Sequence, residues 1–102
     1  MPNEFLRSRI AYVYQTIEGK ETEHGAVRWF ADLLGINYAT LGRYLRGDRP
    51  MPGPPSLVLG LLEVDCARVD LGEIKRTDVL AKIGVAVLNR ATINREEKDG
   101  ST

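Results

Sequence analysis

Two short runs of apolar residues at helical spacing, separated by one glycine, constrain this chain more than anything else in it. In "AVRWFADLLG", Val27, Phe30, Ala31 and Leu34 share one face of a helix, and Gly35 stands where a helix ends in the left-handed conformation. Ile36 then returns to the apolar side. Asn37 is placed to cap a second helix by accepting a free backbone N–H, and "YATLGRYLRG" carries Leu41, Tyr44 and Leu45 inward until Gly47 closes it. The spacing predicts helix, tight turn, helix. Two helices that cross steeply need a short side chain where they approach, which Ala31 supplies, and Gly35 permits the abrupt change of direction.

The flanking segments extend the helical pattern. In "NEFLRSRIAYVYQTI", Phe5, Leu6, Ile10, Val13, Tyr14 and Ile17 recur at helical spacing, with Asn3 as the N-cap, and residues 18–25 read as a polar loop bounded by glycines. Pro54 and Pro55 suit the first turn of a further helix, "SLVLGLLEVDCARV", which carries Leu57, Val58, Leu61, Leu62 and Cys66. After "DLGEIKR" breaks the pattern, Thr77 caps "DVLAKIGVAVLNRA", where Val79, Leu80, Ile83, Val87 and Leu88 repeat helically. "GVAVLNRATI" is β-branched enough to read equally as a strand. The fold class expected is all-α, a compact bundle of four to five helices around the central helix-turn-helix. Residues 1–70 form the domain, 71–95 a C-terminal extension and 96–102 a charged, mobile tail. With a core complete by about residue 70, the apolar surface of the extension would be hidden in a homodimer or packed back on the same core.

Composition narrows the class of protein. A chain of 102 residues, 43% hydrophobic, has room for one core, and 27% charged residues mark a globular rather than a disordered chain. The longest uncharged stretch, residues 50–62, holds four prolines and two glycines, so neither a membrane span nor a signal peptide is expected and the protein should stay in the cytoplasm. One cysteine and one histidine supply no disulfide framework and no usual zinc set, so no metal or other cofactor is implied. The formal net charge is zero, yet residues 26–50 carry a local surplus of two positive charges and residues 63–74 a surplus of three negative ones. That asymmetry reads as a phosphate-facing surface or as an ordinary solvated mixture.

At this point the chain resembles the helix-turn-helix of the phage-repressor superfamily, the lambda-repressor-like or Xre-type DNA-binding domains. Phe30, Ala31, Leu34, Gly35, Ile36, Leu41, Tyr44 and Leu45 carry the likeness, and "RGDRPMPGPPSLVLGLLE" is similar to the subgroup in which a proline-rich loop leads into a short apolar helix. The resemblance reaches from about residue 3 to about residue 63. The chain departs from the family where the first motif helix opens with Ala26, Val27 and Arg28 in place of a polar cap and a glutamine.

The resemblance implies that residues 37–46 lie in the major groove, with the N-terminal part of the helix toward the bases. Tyr38, Ala39, Gly42, Arg43 and Arg46 then occupy the outward face. Arg43 suits two hydrogen bonds to a guanine, and Ala39 suits a thymine methyl. Tyr38 and Thr40 could bond a base or phosphate, and Asn37 with its neighbouring amides suits a phosphate at a helix N-terminus. Arg28 and Arg49 flank the motif as phosphate clamps. Gly42 either lets the helix sink closer to DNA or is merely a tolerated weak position, since glycine inside a helix costs about 1 kcal/mol.

Other features have plainer readings. His24 is an exposed loop residue, Cys66 a small buried hydrophobe and Trp29 a partly buried packing residue rather than a sugar-phosphate stacker. "RGD" at residues 46–48 ends a helix. No carboxylate pair, phosphate loop or nucleophile elbow gives an enzyme a foothold. The function expected is a sequence-specific, double-stranded DNA-binding regulator, a repressor of phage or prophage type, acting as a homodimer on an inverted-repeat operator in the cytoplasm of a bacterial host, at the nucleoid. No small-molecule ligand is evident. The alternative is a protein-interaction or antitoxin-like module that keeps the fold without using it on DNA.

Overall fold

The computed structural model describes residues 4–84, and all regular structure among them is helical. Four helices carry the architecture: α1 (Glu4–Glu18), α2 (Ala26–Leu34), α3 (Tyr38–Arg46) and α4 (Gly53–Asp70). A fifth, α5, covers residues 76–84. Asn3, Val87, Leu88 and the 96–102 tail lie outside the described residues, as does most of the segment read as helix or strand.

One core joins all five helices. Leu6, Ile10, Val13 and Ile17 of α1 meet Phe30 and Ala31 of α2, Leu41 and Leu45 of α3, Leu59, Leu62 and Cys66 of α4, and Val79 of α5. Phe30 is fully enclosed at the centre. Val79 is equally buried, so the described part of the 71–95 extension packs back on the same core as the rest of the domain.

Charge pairs set the register of α4 along α1. The Arg9 guanidinium donates to the Glu63 carboxylate from Nε at 3.0 Å and also from Nη2, and the Tyr12 hydroxyl donates to Asp70. Both partner numbers rise together, so the two helices run in the same direction. The Arg76 guanidinium donates to the Ile17 carbonyl at 3.1 Å, closing the C-terminal end of α1 with a side chain from α5.

Three sequence expectations are corrected here. Phe5 is not a core residue: its ring is exposed and lies 5.7 Å from the Arg9 guanidinium, because Leu6 and Ile10 already define the inward stripe of α1. Leu57 and Leu61 also point outward, at 64% and 59% exposure, while Leu59, Leu62 and Cys66 turn inward. Helix α4 is apolar nearly all round, so periodicity offers no single face to bury. Lastly, Thr77 is not a cap. Helix α5 begins one residue earlier, and the Asp78 carboxylate reaches back to accept the Lys75 N–H at 3.0 Å, one half of a capping box.

Candidate nucleic-acid interface

The turn between α2 and α3 follows from two glycine-ended helices. At φ 71° Gly35 sits in the left-handed region that a side chain rarely adopts, and the Ile36 N–H reaches back to the Ala31 carbonyl at 3.0 Å. Together with the Gly35 N–H bonding Asp32 O at 3.2 Å, this is the Schellman closure, and Ile36 packs against the core just past it. Asn37 then starts α3: its side-chain oxygen accepts the Ala39 N–H at 2.7 Å. The same closure ends α3, where Gly47, at φ 80°, is followed by Asp48 donating to the Arg43 carbonyl at 3.0 Å. Each end of α3 is therefore held by a specific bond, and Leu41 and Leu45 anchor it from behind.

The opposite side of α3 faces outward. Tyr38, Ala39, Arg43 and Arg46 are exposed, and Thr40 and Gly42 are half-buried. Arg43 forms no ion pair among the described residues, whereas Arg46 bonds Asp48 at 3.3 Å with both side chains well exposed. Such a pair is worth little in water and is open to exchange for a stronger anion. Arg49 is exposed in the turn that follows. Asn37 spends its oxygen on the helix cap, which leaves its side-chain N–H groups as the part able to donate to an outside acceptor. Among the described residues an added Cβ at Gly42 would meet only the tip of Arg46, at 3.5 Å, so none of them requires the glycine.

A second element of the surface lies beside α3. Gly25 precedes α2 at φ 88° and offers no side-chain cap, so the first turn of α2 opens uncapped onto a hollow of about 600 Å³. Arg7, Thr22, Glu23, His24, Arg28 and Tyr38 line it. The Arg28 guanidinium carbon stands 4.8 Å from the centre of the Tyr38 ring, a cation–π contact that ties the start of α2 to the start of α3. Two arginines, the His24 imidazole and the positive end of a helix dipole thus surround one open space, with Glu23 as the acidic side chain in its lining. An oxyanion is the ligand that such a lining suits.

Arg28 and Tyr38 both belong to the surface expected from sequence, and the fold brings them into contact. Arg7 and His24 join them without belonging to that expected set. His24 is an exposed loop residue as read, but the loop carries it to the mouth of α2, and Arg7 arrives from α1. No local spacing links these positions, so no periodic signal announces them. Trp29 is a packing residue: it is partly buried, its ring centre lies 5.5 Å from that of Tyr14, and its Nε1–H donates to Glu18 at 2.9 Å. Cys66 is buried and its thiol is pushed up to about 11, first by burial and then by the carboxylates of Asp70, Asp65 and Glu63. Among the described residues no helix is long and apolar enough to cross a membrane.

No protein-family model, curated protein or solved structure matches this chain.

Proposed function

We propose that the chain is a sequence-specific regulator that binds double-stranded DNA by laying α3 in the major groove. The observation that carries this reading is the division of α3 into two sides: Leu41 and Leu45 are buried, while Tyr38, Ala39, Arg43 and Arg46 stand outside the body of the protein. A helix of this diameter fits the major groove, and Arg43 has the geometry to donate two hydrogen bonds to one guanine. Arg28, Arg49 and the hollow at the start of α2 would grip phosphates on either side and fix the register of the helix. Two copies would then read an inverted repeat, one half-site in each of two successive major grooves. By its resemblance to the phage-repressor superfamily the chain acts as a phage- or prophage-type repressor, in the cytoplasm at the nucleoid, by occupying a promoter.

Selection from a pool of random duplex DNA, followed by electrophoretic shift, tests the reading. A two-fold symmetric site should emerge, and Arg43→Ala should weaken it far more than it weakens random DNA. Recovery of no sequence above background at low salt would remove the proposal.

A further inference from the structure

The outer face of α4 is apolar and nothing among the described residues covers it. Leu57, Leu61, Val64 and Leu71 are 64%, 59%, 60% and 74% exposed, and with Arg68 they repeat in alternating steps of four and three residues, the seam spacing of a paired helix. Every exposed large aliphatic side chain of the described residues lies on this one line. Beside it run Gly60 and Ala67, and a Cβ added at Gly60 would meet nothing within 4 Å. A glycine in the middle of a helix weakens that helix, and this one has no packing reason among the described residues.

We infer that this face of α4 pairs with the α4 of a second copy, antiparallel, about a two-fold axis at Val64. The order of the side chains is what selects a second copy over an unrelated partner. Counted from Val64, Leu57 and Leu71 lie equally far on either side, as do Leu61 and Ala67, and Gly60 and Arg68. An antiparallel pair therefore sets Leu61 against Ala67 of the second copy and Arg68 over Gly60 of the second copy. Each large side chain next to the axis meets a small one, and Leu57 meets Leu71 at each end where the helices diverge. A two-fold contact must be complementary to itself in this way.

Charge at the border agrees. Glu63 is held by Arg9, Asp65 by Lys82 at 3.2 Å, Arg68 by Glu73 at 3.3 Å, and Asp70 accepts from Tyr12. The carboxylates flanking the stripe, Glu63, Asp65 and Asp70, are engaged within one chain, while Arg68 in the stripe is held by a weak, exposed pair that lets its long side chain lie over the second copy's Gly60, so the face suits an apolar partner rather than an acidic or basic one. Paired about Val64, the two copies face each other from Leu57 to Leu71, over roughly 21 Å. One helix face per partner belongs to the class of small, reversible interfaces, below about 1,200 Å² in total. The pair is therefore a concentration-dependent equilibrium. It supplies the second copy that the proposed function requires, but it rests on α4 and is measured without DNA, so either can fail alone.

Sedimentation equilibrium of the full chain, from about 1 µM to about 1 mM, reads the equilibrium directly, since weak complexes dissociate across that range. The weight-average mass should climb from one chain toward two. Leu61→Glu should raise the dissociation constant at least about tenfold, because its charge would be buried unpaired in the dimer. Its thermal melt should stay unchanged, because Leu61 is exposed in the single chain. A wild-type mass of one chain throughout overturns the inference, whether because residues 85–102 cover the face or because nothing does. A dimer equally strong in Leu61→Glu overturns it as well.

Cross-linking fixes the direction. Val64→Cys should form a disulfide with its own copy under mild oxidation, while Leu57→Cys should link to Leu71→Cys and not to itself. The native Cys66 is buried and its thiol stays protonated, so it should not compete. Self-linking at position 57 as fast as at position 64 would mean another packing and would reject the two-fold axis.

Discussion

The Arg28 guanidinium lies over the Tyr38 ring, 4.8 Å from its centre, and so joins the first turns of two helices that begin twelve residues apart. A planar cation stacked in this way keeps its N–H groups available at the rim while losing little freedom when it binds. Arg28→Ala should weaken binding to every DNA sequence by a similar factor and reduce the salt slope by about 0.9, the contribution of one phosphate contact. Tyr38→Leu should reproduce part of the loss, since it removes the stack and leaves the charge. Titrations at several salt concentrations measure both, and an unchanged slope in Arg28→Ala would take this residue out of the interface.

Arg43 is expected to behave differently from Arg28. Its removal should cost about 1–3 kcal/mol on the preferred site and little on random DNA, because a two-pronged contact to guanine discriminates between bases. Preference at a single position of each half-site should relax. Competition assays with single-base variants of the selected site follow the change, and a uniform loss across all variants would make Arg43 a phosphate contact instead.

Asn37 separates stability from recognition. Asn37→Ala removes the cap and should cost about 1 kcal/mol of folding stability. Thermal unfolding should show a fall of roughly 4–8 °C. Asn37→Asp keeps an oxygen for the Ala39 N–H and should leave the melt near the wild-type value, yet it places a negative charge at the start of α3 and should weaken DNA binding. If both variants bind DNA as the wild type does, the N-terminal end of α3 does not approach the backbone.

Gly42→Ala tests how close the helix comes to its target. The added methyl meets only the flexible tip of Arg46 at 3.5 Å, so the folded chain should gain up to about 1 kcal/mol in helix propensity. Affinity for DNA should fall nonetheless. A variant that is both more stable and equally tight would show that the position is open at the interface too.

Alkaline pH should act through Tyr12. Burial and then the hydrogen bond to Asp70 push its hydroxyl up to about 12 from the usual 10.0. The folded state thus favours the protonated phenol: the stabilisation is fully present below about pH 10 and is lost as pH rises through about 12. Denaturant unfolding of wild type and Tyr12→Phe between pH 8 and 12 should show the wild type losing more stability toward the alkaline end. Parallel curves for the two proteins would remove Tyr12 from the account.

The parts of the fold governed by local chemistry are legible in the sequence. Gly35, Asn37 and Gly47 announce where α2 ends and α3 begins and ends, because each answers a backbone need that few residues meet. The outward set on α3 is equally legible, since a helical period assigns Arg43 and Arg46 to the side opposite Leu41 and Leu45. Helix α4 is harder. With Leu57, Val58, Leu59, Leu61 and Leu62 nearly consecutive, the pattern fits several faces, and only packing into the shared core decides that Leu59 and Leu62 go in. The hollow beside α2 escapes a reading of the chain altogether, because Arg7 and Arg28 lie on different helices and His24 in the loop between them.

The first 70 residues do not complete the core, which also takes in Val79. Helix α5 fills the core with Val79 and donates Arg76 to the otherwise open carbonyl of Ile17, so it closes the end of a helix that precedes it by some sixty positions. A graft of α2 and α3 onto another scaffold must take α5 along. A fusion joined at Asp70 would expose the socket of Val79 to water and let the far end of α1 fray.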